Sequence, residues 1–340
     1  MKKYNVGIVG YGWVATAHIP AINSTTLGQV AAVCSSRKLD ASELSRRYGG
    51  SIQVYQELDD LLSNPDIQVV SLCGFPTQRT DQAVRAAAAG KHLILEKPLC
   101  LSPRDLNRIH QAVKRARVKT CVCFECRFSS QFLAIKALID RGLLGKLHYG
   151  EVDYYHGIGP WYAQFRWCQR KAEGGSSLLE AGCHALDALL LCMGNDVMEV
   201  SSFATKSRSK IFAPYEYPST SVTVLKFRDG SVGKCTSSVD CLQPYYFHTH
   251  LLGSKGSLLD NKFHSQELST NKAAWSTLAL KMLDSGDVGD HPYQTQFEAF
   301  LNALDRGRQM PLTSLDEAAI SHEIIFAADR SAETGRPVRL

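Results

Sequence analysis

Tyr4-Asn5-Val6-Gly7-Ile8-Val9-Gly10-Tyr11-Gly12-Trp13-Val14-Ala15 is the stretch on which the reading of the chain turns. Tyr4 to Val9 is a short apolar strand, and the six residues after it are G-x-G-x-x-A. Gly10 permits a tight strand-to-helix bend, Gly12 lets a pyrophosphate approach the backbone, and Ala15 lets the next helix lie close to the sheet. Trp13 and Val14 stand at the helix N-terminus, where free N–H groups and the positive dipole end attract phosphate. Val14, Ala17, His18, Ala21 and Ile22 continue at helical spacing, the context a Gly-rich turn needs to be read this way. The stretch predicts a dinucleotide-binding turn at the start of an α/β domain.

Downstream, strands and helices alternate. Gln29–Cys34 reads as the second strand, Asp40–Tyr48 as a helix, and Ile67–Cys73 as a buried parallel-type strand. Gly74-Phe75-Pro76-Thr77 reads as a turn before the Ala-rich helix Asp81–Ala89, which Gly90 stops. His92–Leu95 is another strand, Ser102-Pro103 opens a helix as cap and first residue, and Val118–Phe124 is the last strand of the series. This alternation predicts a doubly wound parallel sheet of the Rossmann type. After about residue 125 the texture changes. His148–Tyr155, Val197–Thr205, Thr220–Phe227, Gly233–Val239, Tyr246–Leu252 and Gly256–Leu259 read as strands of one large, mostly antiparallel sheet with helices on one face. Pro292–Ala303 and Ser314–Thr334 return to helix. The expected division is residues 1–124 as the dinucleotide-binding domain and 125–340 as an α+β substrate-binding and oligomerisation domain, its last helices able to pack back on the first.

A chain of 340 residues exceeds one ordinary core, in keeping with two domains. With 44% hydrophobic and 21% charged residues it has an ordinary globular composition. The net charge of +5 comes without a Lys/Arg run, so it suits anionic cofactors and gives no sign of nucleic-acid binding. No apolar stretch reads as long enough to span a membrane, and Met1 to Tyr4 runs straight into the first strand, leaving no room for a signal peptide. Eleven cysteines, an odd number scattered along the chain, read as small core residues of a reduced cytoplasmic protein. Cys121-x-Cys123-x-x-Cys126 has no second cysteine pair near it in sequence, and no metal is expected.

Several groups carry candidate chemistry. Ser35-Ser36-Arg37-Lys38 follows the second strand where an NAD-binding fold usually places a carboxylate. Its hydroxyls and cations suit a 2′-phosphate, which favours NADP and leaves NAD possible. Glu96-Lys97-Pro98 follows a strand at the sheet edge where ligands bind; the lysine either faces a cleft or pairs with a nearby carboxylate on the surface. Gly174–Asp187, G-G-S-S-L-L-E-A-G-C-H-A-L-D, puts Glu180, His184 and Asp187 at i, i+4 and i+7 of a helix. That line is either an acid/base array or a helix whose histidine is satisfied by its neighbours. Tyr154-Tyr155-His156 and Trp161-Tyr162-x-x-Phe165-Arg166-Trp167 suit the wall of a sugar pocket, a core, or a subunit interface.

Together these residues resemble the Gfo/Idh/MocA oxidoreductases over nearly the whole chain. The resemblance rests on G-I-V-G-Y-G-W-V-A, on A-G-K-H-L-I-L-E-K-P-L at Ala89–Leu99, on Arg127-Phe128, and on Gly174–Asp187. It implies that Lys97 and His184 line a hydride-transfer site, with Glu180 where the family often has Asp. It implies cofactor contacts from Gly10, Gly12, Trp13, Val14, Ser35, Ser36, Arg37, Pro76, Glu96 and Lys97. Substrate contacts are expected from Lys97, Arg127, Tyr155, Trp161, Arg166, Glu180 and His184, and Asp187 is expected to fix the histidine tautomer. Thr77 and Thr80 depart from the T-P-N-x-x-H pattern of many members, and Glu125 stands where some relatives carry an amide. The implied activity is NAD(P)-dependent oxidation or reduction of a secondary alcohol or ketone in a sugar, glycoside or cyclitol. The alternative is glycoside modification or cleavage through tightly held NAD with no net redox change. The family also implies a homodimer or homotetramer paired through the second domain's sheet.

Overall fold

The computed structural model describes residues 3–268, 273–283 and 286–340. By internal contacts the chain divides into two units: Met1–Glu125 with Asp287–Ala319, and Cys126–Gly286 with Ile320–Leu340.

The first unit opens with β1 (Tyr4–Val9), α1 (Ala15–Asn23), β2 (Gly28–Cys34), α2 (Ala41–Tyr48), β3 (Gln53–Tyr55) and α3 (Leu58–Ser63). It continues with β4 (Val69–Leu72), α4 (Pro76–Ala88), β5 (His92–Leu95), α5 (Pro103–Ala116) and β6 (Thr120–Val122). The six strands are all parallel in the order β3-β2-β1-β4-β5-β6. This is a doubly wound Rossmann sheet, whose strand order reverses between β1 and β4 and so opens a crevice at their carboxyl ends. Val6, Ile8, Val69, Val70, Leu72, Leu93, Ile94 and Leu95 are fully buried, because helices cover both faces of a parallel sheet. Burying each such side chain is worth roughly 1.5–3 kcal/mol against leaving it exposed.

Three local readings are corrected. Helix α4 begins at Pro76, with Phe75 as its cap, so residues 76–80 are helical where a longer turn was expected. Proline at the first helical position loses no hydrogen bond, since that N–H has no partner in a helix anyway. Strand β6 is only Thr120–Val122, so Cys123 and Phe124 lie beyond its end. The short edge strand β3 has no apolar run to announce it. The chain returns to this unit late: in the helix Tyr293–Asp305, Gln296 donates to the Val122 carbonyl at 2.8 Å. The Val122 N–H in turn donates to the carbonyl of Thr313 at 2.9 Å.

The second unit contains α6 (Ser130–Asp140), β7 (Leu147–Tyr155), the short helices α7 (Phe165–Cys168) and α8 (Lys171–Gly174), and a π-turn at Leu178–Gly182 that runs into α9 (Cys183–Met193). Then come β8 (Val197–Thr205), β9 (Thr220–Phe227), β10 (Val232–Ser238), β11 (Tyr246–Gly253), β12 (Gly256–Leu259), β13 (Lys262–Ser265) and β14 (Ser276–Thr277). The helix Tyr293–Asp305 is α10; α11 (Leu315–Thr334) and β15 (Val338–Arg339) finish the chain. Nine strands form one sheet, β14-β13-β12-β11-β7-β10-β9-β8-β15, antiparallel except where β10 pairs β7.

Strand parity gives this sheet two distinct faces. Gly150, Val152 and Tyr154 on β7 and Gly233, Cys235 and Ser237 on β10 point toward α9. At Gly182 a Cβ would collide with the Ser237 side chain, so the glycine is what lets the helical run touch the strand. By length and composition the run Lys171–Met193 could cross a bilayer, contrary to the sequence reading, but 83% of its most apolar window is buried within the protein. It is a core helix.

Candidate active site

In the first unit the geometry of the opening turn follows from its glycines. Gly10 has φ +88°, and a Cβ there would lie 2.8 Å from both Cα and N of Gly74. Only glycine fits. At Gly12 a Cβ would meet nothing within 4 Å, so the backbone faces open space. The N–H groups of Gly12, Trp13 and Val14 donate to no carbonyl among the described residues. An open, glycine-lined approach to undonated N–H groups at a helix start fits a pyrophosphate. At the end of β2, Ser36 and Arg37 are exposed, and the Arg37 guanidinium lies 5.8 Å from the centre of the Tyr11 ring. Ser35, expected beside the cofactor, is buried and its Oγ accepts the Arg37 N–H at 3.2 Å, so it shapes the loop.

Glu96, Lys97 and Pro98 follow β5 at the same carboxyl edge, and the Lys97–Pro98 peptide is cis. Glu96 is buried. Its Oε1 accepts from His18 Nε2 at 2.9 Å and from the Tyr293 hydroxyl at 3.0 Å; its Oε2 accepts the Lys97 N–H at 3.0 Å. His18 Nδ1 is 2.9 Å from Ser71 Oγ. Burial alone would raise the Glu96 carboxyl, but the hydrogen bond and charge of His18, then Lys97 and Arg79, hold it near about 2. Burial alone would lower His18, but Cys73 and Glu96 beside it raise it to about 10. Glu96 is therefore a buried anion that anchors the Lys97 backbone, rather than a residue open to cofactor.

Two partners here have no local sequence signal of their role. His18 looked like one helical position among others; its inward place on α1 was its only signal. Arg79 is buried on α4 and donates to the carbonyls of Gly74, at 2.6 Å, and Pro98. It thereby joins the turn before α4 to the loop of Lys97. Pro76, at the first position of that helix, is buried and sets the helix start.

In the second unit Glu180 lies in the π-turn and His184 in the first turn of α9, both buried. The π-turn changes the pitch between them, so the ideal α-helical spacing behind the sequence reading does not apply; such turns are frequent at functional sites. Glu180 sits among tyrosines. Burial raises Tyr154, Tyr215 and Tyr217, and the negative charge of Glu180 raises each further. Ser176 starts the helical run: its Oγ accepts the Leu179 N–H at 3.0 Å and donates to Asp329 on α11 at 2.9 Å.

Arg127, expected at substrate, commits its buried guanidinium to Asp187: Nε to Oδ2 at 2.6 Å and Nη2 to Oδ1 at 2.8 Å. Asp187 also accepts from Ser321 at 2.7 Å, which holds its carboxylate in this buried cluster. Tyr155 points to the sheet face opposite α9, its hydroxyl on Asp153 at 3.1 Å, because parity sends Tyr154 to the helix side. Trp161 and Arg166 lie exposed on the segment between β7 and α8.

The sequence matches the family description "Oxidoreductase family, NAD-binding Rossmann fold" over residues 4–124 and "GFO/IDH/MocA C-terminal domain" over residues 132–259. The chain is a Gfo/Idh/MocA oxidoreductase. Among its curated relatives, the myo-inositol 2-dehydrogenase of Thermotoga maritima is 23% identical, the alignment covering 98% of each chain. The scyllo-inositol 2-dehydrogenase (NAD(+)) of Bacillus subtilis is also 23% identical, covering 98% of this chain and 95% of that one. The crystal structure of aldose-aldose oxidoreductase from Caulobacter crescentus, complexed with glycerol, superposes with a TM-score of 0.83 at 22% identity, over 100% of both chains. The two sheets of this family member are thus of the kind its relatives share.

Proposed function

We propose that this family member is a nicotinamide-dependent dehydrogenase or reductase acting on a secondary alcohol or ketone of a sugar, glycoside or cyclitol. One observation carries the reading: Lys97, anchored through Glu96, stands at the same sheet edge as the glycine turn that fits a pyrophosphate. The curated relatives act on inositols, which supports a polyhydroxy substrate.

When bound, the nicotinamide accepts the carbinol hydride or returns it. The chain's own groups handle the proton and the charge. His184 takes the hydroxyl proton in oxidation and gives it back in reduction; Lys97 stabilises the developing oxyanion and relays the proton. Glu180 orients His184 or holds a neighbouring hydroxyl. Trp161 and Arg166, both exposed, supply a stacking surface and a cation for a polyhydroxy substrate.

We favour NADP over NAD. Exposed Ser36 and Arg37 follow β2 where NAD enzymes usually carry a carboxylate, and they can meet a 2′-phosphate by hydrogen bond and charge. We also propose a homo-oligomer formed through the open face of the second unit's sheet, where Phe203 is 73% and Tyr246 43% exposed.

The test is titration of purified protein with NADPH and NADH by nicotinamide fluorescence, then turnover on inositols, aldoses and glucosides. Tighter NADPH binding, weakened about tenfold or more in Arg37→Ala with NADH unchanged, is expected. Nucleotide retained through purification as NAD would reverse the preference and favour a net non-redox reaction. No binding of either nucleotide would overturn the proposal.

A further inference from the structure

The open face of the second unit's sheet carries a side-chain cluster that hydride transfer does not use. His248 and His250 stand two apart on β11, so both imidazoles share that face. Glu151 on β7 is directly opposite His250, and one donor atom from each of the three lies within 4.8 Å of the others.

Each histidine has a nitrogen to offer. His248 commits only Nδ1, to Asp260 Oδ1 at 3.0 Å, and His250 makes no hydrogen bond among the described residues. Asp260 is itself fixed, accepting from the Thr249 N–H at 3.0 Å and the Tyr246 hydroxyl at 2.7 Å. A carboxylate behind a histidine fixes the ring and strengthens its donor nitrogen, the usual support of a metal ligand. Glu151 is oriented in the same manner, by the Tyr149 hydroxyl at 2.8 Å and the Lys234 ammonium at 2.5 Å. Lys234 also bonds Asp153 at 2.7 Å, so two carboxylates share one ammonium.

We propose that Glu151, His248 and His250 form a three-ligand site for a first-row divalent cation of the zinc class. Two imidazole nitrogens and one carboxylate oxygen, with a fourth position left to water or another group, are a donor set that zinc takes in tetrahedral geometry. Ligand bonds of about 2.0–2.2 Å ask the side chains to rotate inward, with the strands unmoved. The site lies on the side of the sheet opposite His184 and is separate from the proposed chemistry.

The test uses cobalt(II) as a spectroscopic probe. The whole protein is stripped with a chelator, dialysed against cobalt(II) chloride and examined by absorption. One equivalent with visible bands of a nitrogen- and oxygen-ligated tetrahedral ion is expected. His250→Gln and the double variant His248→Gln/His250→Gln should lose it. Asp260→Asn, which leaves all three ligands in place, should weaken it about 10–100-fold. Melting curves without metal check that the variants fold. Equal binding by wild type and double variant, an added thiolate charge-transfer band, or no binding by wild type would each overturn the assignment.

Discussion

Arg127 and Asp187 meet as a forked ion pair inside the second unit, with both side chains 4% exposed or less. Removing one member strands the other charge without water. Asp187→Asn or Arg127→Met should cost roughly 3–5 kcal/mol, read as a fall in the urea midpoint at unchanged slope. Replacing both together should cost less than the two single losses added. Single variants as stable as wild type would show that the pair contributes little.

The His18–Glu96 pair gives the first unit a pH signature. Glu96 is held down near about 2, so its stabilisation is present above its ordinary value of 4.5 and disappears as pH falls through about 2. His18 is raised to about 10, so its stabilisation is present below 6.5 and disappears as pH rises through about 10. Urea unfolding should show a contribution from the pair that is greatest at about pH 4.5–6.5 and declines on both sides. In Glu96→Gln the alkaline decline should shrink; an unchanged profile would remove the pair as its cause.

Asp329 behaves in the opposite sense. Burial pushes its carboxyl up to about 7, despite the Ser176 hydroxyl that donates to it. The folded state therefore prefers the protonated form. Its favourable contribution is full below 3.8 and is lost as pH rises through about 7. Asp329→Asn imitates the neutral acid and can still accept from Ser176. Its melting temperature should gain on wild type between about pH 5 and pH 8.5, and a pH-independent difference would refute this.

For the proposed chemistry, Lys97→Met and His184→Ala should each lower turnover by about 10²–10⁴. Nucleotide binding measured by fluorescence should stay within a few-fold in His184→Ala. Full turnover in either variant would strike that residue from the reaction.

The two sheets were legible because periodicity reports burial: strands covered on both faces read as apolar runs, and those covered on one face alternate. What stayed hidden was pairing. The run Tyr154-Tyr155-His156 is polar-aromatic throughout, so parity cannot be read from it, and nothing in the sequence separates Tyr155 from Tyr154 as an expected substrate contact. Arg127 and Asp187 are 60 residues apart, and nothing local signals that each is the other's partner. His18 and Arg79 carry no local signal for the same reason, since their roles depend on Glu96, Gly74 and Pro98 brought close by the sheet. The start of α4 is hidden because Pro76 suits a turn as well as a first helical position.

The discontinuity of the first unit bears on the order in which it can be completed during synthesis. Its sheet is spelled out by residue 122, yet Tyr293 reaches Glu96, Gln296 holds the Val122 carbonyl, and Thr313 pairs the Val122 backbone. On the ribosome, the six strands must wait while β7 to β14 of the other unit's sheet are translated before those partners emerge. Early in its life the nascent chain carries an edge strand, β6, with no cover, at the stage when exposed edges invite mispairing and chaperone capture.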